Sequence, residues 1–505
     1  MSTFGTRVVA ACVVVAAVGL MAGCLASRQD YYAGLHRSRV DAYTRWQTAR
    51  EDDEELPRLE GELGIPDAVR VALAYNKELW RVVQERAKAR GQLWEAYGEA
   101  LPDVELSAGY TRLDQVMVVD LGVDRFQVGN KNNWSYQLSV TQPLFKGGTI
   151  PAAIRGAQIF RYASDESIRQ AIQDVVQQVV SAYYDHRLAE RLYEVQEEAL
   201  RFAEANLKDV KAKLEQGLAI RYDVLRAELE VATVRADLIQ ARNRLSRAET
   251  DLLRAMGASQ RSEVEMTDSL TYVPMEPSSE DAVRTAFLNR PALYRGELDV
   301  RLQREVLRGL YAGYWPNIEA WGWFRWAKPD PHESSNYEWD RQWQTGVRLV
   351  WTLFDGLARE GRIKQQKATL RQSAIALSDT EQAVLKEVKD ALLALGDAEE
   401  LVESQRLNLQ QANEALRLVT IGRREGVNTP LEVLDARATL TQVRGLYYEA
   451  LHNHAQARLA YQRAVGLLGP KPGEREVPAE VPLTDLGEES AGPAGSSPSP
   501  EEPVN

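Results

Sequence analysis

The chain repeats itself, and the repeat constrains its fold more than any single motif does. Asp67-Ala68-Val69-Arg70 returns as Asp281-Ala282-Val283-Arg284, 214 residues later, and Pro102 pairs with Pro316 at the same spacing. Leu144-Phe145 returns as Leu353-Phe354, Gly217 as Gly426 and Gly257 as Gly466, all 209 residues apart. Leu144 to Gly257 therefore aligns with its copy without a net gap, and the five-residue difference falls between Pro102 and Leu144. Equal spacing over so long a stretch is what two rigid rods of fixed length require.

Each copy reads helix, β-hairpin, long helix, turn, helix. No proline occurs between Pro151 and Pro274 or between Pro331 and Pro430, which permits long helices. Ile168, Ile172, Val175, Val179 and Ala182 step by four and three, and the register resumes at Leu200, Ala203, Leu207, Val210 and Leu214. Leu225, Leu229, Ala232, Ala236 and Ile239 do the same after the turn. These are coiled-coil seams. As helices, Pro151–Leu214 spans about 96 Å, and Asp67–Ala100 and Ala219–Met256 span about 51 and 57 Å. Two short struts end to end match one long one, the plan of a tube wall. Thr429-Pro430-Leu431-Glu432 fits a capping box with proline at the first helical position, just after Gly426. Ala219-Ile220-Arg221-Tyr222 offers no comparable cap, so the first tip is expected to be the less rigid.

The hairpins alternate. Val104, Leu106, Ala108 and Tyr110 alternate with polar or small residues, as do Trp134, Tyr136, Leu138 and Val140. Trp343, Thr345, Val347, Leu349 and Trp351 alternate with Gln344, Gly346, Arg348 and Val350. Asn317–Trp326 is less clean, because Trp321 and Trp323 share a face with Glu319 and Arg325. Strands of about 9–11 residues suit a tilted bilayer crossing. Mean hydropathy is −0.38, which argues against a multi-span helical membrane protein but not against a β-barrel. Seven of the 11 tryptophans lie between Trp315 and Trp351. Trp134, Tyr136, Trp323, Trp343 and Trp351 are expected in an aromatic girdle at a lipid–water boundary. A soluble sandwich edge and a sugar-stacking platform are the competing readings. Four strands cannot close a barrel, and open sheet edges are not tolerated in lipid. The chain must then share its barrel with copies of itself: two give eight strands with a filled interior, three give twelve with room for a pore.

Residues 1–23 read as a secretory signal: Arg7, an apolar run from Val8 to Met21, then Ala22 and Gly23. The run of 14 residues reaches about 21 Å as a helix, short of a bilayer core of about 30 Å. Ala22-Gly23-Cys24 resembles a bacterial lipoprotein box, with cleavage before a lipidated Cys24; an ordinary signal with an incidental cysteine is the alternative. Leu25 and Ala26 leave no aspartate to mark inner-membrane retention, a rule carried over from enteric lipoproteins. Two cysteines exclude a disulfide-rich scaffold. The net charge of −12 excludes the basic surplus of a nucleic-acid binder, so no nucleic-acid partner is expected.

Gly217 with Tyr222–Glu230, Gly426 with Glu432–Leu440, the Leu-Phe-x-Gly steps at Leu144–Gly147 and Leu353–Gly356, and the repeated Asp-Ala-Val-Arg start together resemble the TolC-type outer-membrane efflux duct family. The resemblance covers about Asp67 to Gly469. It implies a fold that is mainly α with a membrane β-barrel portion. Duplicated long helical hairpins form a periplasmic tunnel, and four strands per chain join a trimeric twelve-stranded barrel. It also implies a homotrimer in outer-membrane lipid that docks a periplasmic adaptor (membrane fusion protein) and an inner-membrane pump. The docking tips are then Gly217, Leu218 and Ala219 with Gly426, Val427 and Asn428. Asp209, Glu215, Arg417, Arg423 and Arg424 are candidates for a periplasmic gate, though each is also what a solvated helix face carries. Arg417-Leu418-Val419-Thr420 holds no acid, so the acidic ring of some relatives is not expected there.

The expected organisation is a signal (1–23), a lipid-anchored segment (24–66), a first repeat (67–257, hairpin 103–142), an equatorial linker (258–280), a second repeat (281–469, hairpin 317–352) and a disordered acidic tail (470–505). The tail from Gly469 on holds 8 of the 20 prolines. No G-x-S-x-G, H-E-x-x-H, Walker or dinucleotide motif occurs. His452 and His454 are two apart and cannot share a metal on a helix; His36, His186 and His332 read as solvated or packed. No catalytic residue, cofactor or metal is expected. A passive exit duct of a tripartite efflux or secretion system is the leading reading. A coiled-coil scaffold lipoprotein without a pore is the alternative, and a sugar-acting enzyme lacks a placed acid pair.

Overall fold

The computed structural model describes residues 28–48, 56–120, 122, 125–333 and 336–471. The signal segment, Cys24 and the tail beyond residue 471 lie outside the described residues. The chain divides between Arg58 and Leu59, and α1 (Arg28–Thr48) stands in the first unit.

The second unit holds everything else. In chain order it runs β1 (Glu60–Leu63), α2 (Ile65–Tyr75), α3 (Lys77–Gly98), β2 (Asp103–Arg112), β3 (Met117–Asp120), β4 (Arg125–Val128), β5 (Asn132–Lys146), α4 (Thr149–Glu215) and α5 (Arg221–Met256). After β6 (Glu263–Met266) the copy follows: α6 (Ser279–Asn289), α7 (Pro291–Tyr311), β7 (Asn317–Lys328), β8 (Asp340–Val350), α8 (Ala358–Arg424) and α9 (Pro430–Ala464). The long helices α4 and α8 have 67 residues each, and α5 and α9 have 36 and 35. At the α-helical rise, 67 residues reach about 100 Å. The rods expected from equal spacing are present in both copies.

The strut expected over Asp67–Ala100 is not one helix. It breaks at Asn76, and its copy breaks at Arg290, both with extended backbone. Asn76 turns the break into a cap: its side-chain oxygen accepts the N–H groups of Glu78 (2.9 Å) and Leu79 (3.1 Å). Its amide nitrogen donates to the Ala255 carbonyl (2.9 Å), tying the break to the end of α5. In the copy, Pro291 opens the next helix. Gly257 and Gly466 end α5 and α9 against these breaks, at φ +71° and +79°. A Cβ on Gly257 would stand 2.5 Å from the Tyr75 carbonyl oxygen, and one on Gly466 2.9 Å from the Asn289 carbonyl carbon. Only glycine fits both the backbone and the space.

The main core gathers where these pieces meet. Leu79, Ile168, Val179, Tyr183, Leu252 and Met256 are fully buried there. The Tyr183 hydroxyl donates to the Leu63 carbonyl and accepts from the Asp268 N–H, both at 2.9 Å. It fastens α4 to the parallel pair β1–β6, the small sheet formed partly by the linker 258–280. The second copy has its own core around Ala282, Val384, Val388 and Val465.

One expected seam is placed differently. Leu225, Leu229 and Ile239 on α5 are 51%, 68% and 57% exposed, and Ala232 and Ala236 are exposed with them. The face of α5 that is buried within the chain carries Val224, Ala227, Val231 and Ala241, a neighbouring stripe with the same three-and-four rhythm. The four-and-three spacing from Leu225 to Ile239 marks a seam, but periodicity does not say which stripe the chain itself covers.

The two copies are joined along α4 and α9. Arg444 pairs with Glu198 (2.6 Å), His452 Nε2 with Asp185 (2.6 Å) and Arg463 with Asp174 (2.7 Å). Ascending positions on α9 meet descending positions on α4, so these helices run antiparallel.

Candidate functional site

The two hairpins form one sheet in the order β2-β5-β7-β8, every neighbour antiparallel. Hairpin one thus pairs directly with hairpin two, and the outer edges of β2 and β8 have no partner strand among the described residues. The first distal loop also carries a separate ribbon, β3–β4, that the alternation did not reveal.

Residues directly opposite one another in a ladder share a face. One face carries Val104, Leu106, Ala108 and Tyr110 on β2 beside Val140, Leu138, Tyr136 and Trp134 on β5. It continues through Trp326, Phe324, Gly322 and Ala320 on β7 to Trp343, Thr345 and Val347 on β8, with Arg341 at the loop margin. Leu106, Val347 and Trp343 on this face are 74%, 68% and 69% exposed. The other face carries Glu105, Ser107, Ser135, Gln137, Ser139, Arg325, Gln342, Gln344 and Arg348, the last paired with Glu319.

Three of the five expected girdle residues lie on the apolar face. Trp134, Tyr136 and Trp343 lie on the apolar face near the distal loops; Tyr110 packs against Trp134 with ring centroids 4.3 Å apart. Trp351 follows β8 at the helical end and donates from Nε1 to the Tyr314 carbonyl (3.1 Å). Trp323 is the correction: it sits opposite Ser139 and Gln344, on the polar face. The bulge at Pro143 lies beyond it and does not alter its phase. Trp343 and Trp351 are eight residues apart, about 27 Å along a strand and about 20 Å once tilted as barrel strands are.

At the opposite end of the rods the two tips are built alike. Gly217 and Gly426 take φ +75° and +76°. Leu218 donates its N–H to the Lys213 carbonyl and Val427 to the Gly422 carbonyl, both at 2.8 Å, closing Schellman turns. Leu218 and Val427 are then presented to solvent, 73% and 79% exposed. Ala219 is half-buried, and Asn428 folds inward, its amide donating to Glu432 (3.0 Å). Thr429 and Glu432 complete the expected capping box (3.3 and 2.8 Å). At the first tip Ile220 has no side-chain acceptor, but Asp223 supplies half a box by accepting the Ile220 N–H (3.1 Å).

Above the tips a cavity of about 700 Å³ opens between α4, α5 and α9, lined by Phe202, Asp209, Glu230, Arg423, Val433 and Arg437 among others. Burial pushes the Glu230 carboxyl up and the Arg437 guanidinium down from their ordinary values. Of the gate candidates, Asp209 and Arg423 line this cavity together. Asp209 pairs with Lys213 along its own helix, and Arg417 pairs with Glu414 (2.6 Å), whose carboxyl it holds below the usual range. Arg424 lines a neighbouring depression with Arg417, and Glu215 is exposed as the last residue of α4. Among the described residues, no ion pair joins one of these five to another.

Residues 68–258 and 282–467 match the outer membrane efflux protein family. The chain belongs to this family. The two matched segments coincide with the two repeats. Nodulation protein T of Rhizobium leguminosarum bv. trifolii is 22% identical over 400 residues, covering 79% of this chain and 84% of the relative. The Campylobacter jejuni CmeC outer membrane channel shares the fold with a TM-score of 0.69 at 15% identity, over 81% of this chain and 87% of that one. The open state of the Neisseria gonorrhoeae MtrE outer membrane channel gives a TM-score of 0.66 at 18% identity, over 80% of this chain and 89% of that one. The efflux protein is thus mainly α-helical with a sheet portion of the kind these channels carry. Among the described residues no helix is long and apolar enough to cross a membrane.

Proposed function

We propose that the protein is a passive exit duct in the outer membrane, built by three copies of the chain and opened when a periplasmic adaptor and an inner-membrane pump dock. The observation that carries this reading is the single sheet with one apolar face, one polar face and two unpartnered edges. In lipid each edge strand would leave a row of unsatisfied N–H and C=O groups, each costing several kcal/mol. Pairing β2 of one chain with β8 of the next removes every edge, and three chains give twelve strands. The apolar face then meets lipid, with aromatic rings near both ends of the band. The polar face lines a wet lumen, and Trp323 belongs to that lumen.

The uncovered stripe Leu225, Leu229, Ala232, Ala236 and Ile239 on α5 supports the same assembly, because a sibling helix would bury it. Leu218 and Val427 are the apolar points the tips offer an adaptor. Separating the hairpins would open the tunnel near Asp209, Arg423 and their neighbours. Transport through such a lumen is downhill, with energy supplied by the pump. Lipidation of Cys24 would add an anchor to the barrel.

Extraction and conductance test the reading together. The duct resists salt and carbonate extraction, dissolves in detergent and gives discrete conductance steps in planar bilayers. A protein released by carbonate and silent in bilayers is the poreless scaffold instead.

A further inference from the structure

The loop between β7 and β8 holds a cluster that the duct does not use. Asp330 stands two residues beyond β7, and Asp340 is the first residue of β8. Asp330 is fixed by the backbone: its N–H donates to the Asn336 carbonyl (3.0 Å), and its Oδ1 accepts the N–H groups of His332 (2.8 Å) and Glu333 (3.3 Å). Asp340 is fixed by the ladder, opposite Ala327. Between them His332 places Nδ1 3.6 Å from Asp330 Oδ1 and 3.3 Å from Asp340 Oδ2. One ligand-type atom from each residue lies within 4.8 Å of the other two.

Those separations are informative. Hydrogen bonds from nitrogen to oxygen run about 2.7–3.2 Å, so neither contact is a well-formed one. Ligands bound about 2.0–2.2 Å from one small cation lie about 3.0–3.6 Å from each other in octahedral or tetrahedral sites, and the two separations from His332 Nδ1 reach the upper end of that range. Charge points the same way. Among the described residues neither carboxylate has a lysine or arginine partner, and the adjacent Lys328 ammonium lies 4.6 Å from the Tyr337 ring centroid instead. An imidazole nitrogen with two carboxylates selects borderline transition-metal ions over calcium or magnesium, which prefer all-oxygen sets. Asp330 is 14% exposed, whereas His332 and Asp340 are 59% and 46% exposed, leaving one side open for water ligands.

We propose that Asp330, His332 and Asp340 bind one divalent transition-metal cation per chain, of the Zn²⁺ and Cu²⁺ class, clasping the β7–β8 loop to the start of β8. The site lies within one chain and does not depend on the duct reading. Tag-free full-length protein in detergent is stripped with chelator and titrated with Zn²⁺ by calorimetry, and with Cu²⁺ by electron paramagnetic resonance. One ion per chain and coupling to a single nitrogen are expected. His332→Ala should abolish that coupling, and both His332→Ala and Asp340→Asn should weaken binding at least about tenfold, the scale of losing even an outer-shell partner. Glu338→Gln is the control and leaves binding unchanged. Absence of saturable binding in the parent chain, or affinity and spectra that His332→Ala leaves unaltered, would overturn the proposal. His332 lies in the loop and Asp340 at the start of β8, and circular dichroism verifies the fold of both variants.

Discussion

The guanidinium carbon of Arg437 lies 3.7 Å from the centroid of the Phe202 ring. Arg437 stands on α9 and Phe202 on α4, so this cation–π contact clasps one hairpin to the other beside the cavity above the tips. Partly buried contacts of this kind are worth about 1–2 kcal/mol. If opening separates the hairpins, Arg437→Ala raises the open-to-closed ratio without an adaptor by about fivefold or more. Single-channel open probability reads it directly. An unchanged probability would mean that the hairpins do not part at this contact.

The repeat exposes a strained residue. Gly148 takes φ +97° just before α4, and the equivalent position before α8 is Leu357, the one non-glycine residue at positive φ among those described (φ +68°). A left-handed conformation costs a side-chain-bearing residue about 1–2 kcal/mol. Leu357 is 65% exposed, so little packing is lost with its side chain. Leu357→Gly should stabilise the protein by up to about 1 kcal/mol, after glycine's own entropy cost. The denaturation midpoint should rise; a fall would show that Leu357 is held by contacts with a sibling chain.

Trp343 and Trp323 offer a test of which face meets lipid. They sit on opposite faces of the sheet, although both are tryptophans of the same hairpin. In variants retaining one or the other, brominated lipid should quench Trp343 strongly and Trp323 weakly, and aqueous iodide should do the reverse. Equal quenching would break the division of faces.

His186 makes acid the weak side of the rods. It is buried within α4, its Nδ1 has no hydrogen-bond partner among the described residues, and burial with the neighbouring Arg187 charge lowers its pKa to about 4. The unfolded chain takes up this proton near pH 6.5, so between about 6.5 and 4 the unfolded state binds more protons and stability falls with pH. At about 1.4 kcal/mol per unit the loss approaches about 3 kcal/mol. Urea midpoints measured from pH 7 to 5 should decline in the parent chain and flatten in His186→Gln. Parallel declines would assign the acid sensitivity to other groups.

Much of this was legible in the sequence because it is written locally. Gly217 and Gly426 mark their turns, Thr429 with Glu432 announces a cap, and equal spacing gives rods of equal length. Other features depend on what lies across space. Asn76, which caps the helix after the break, bonds to Ala255, 179 residues away. The pairs Arg444–Glu198, His452–Asp185 and Arg463–Asp174 join residues 246 to 289 apart and leave no local trace. On α5 two stripes have the same rhythm, and rhythm cannot say which partner covers which. Trp323 shows the complementary error: its phase with Glu319 and Arg325 was readable, but residue type suggested the girdle.

If one chain supplies only part of a closed sheet, native mass measurement of the purified protein in mild detergent will find a complex of three chains and no stable species of one. A folded single chain that stays soluble after the detergent is removed would mean that the sheet needs no siblings.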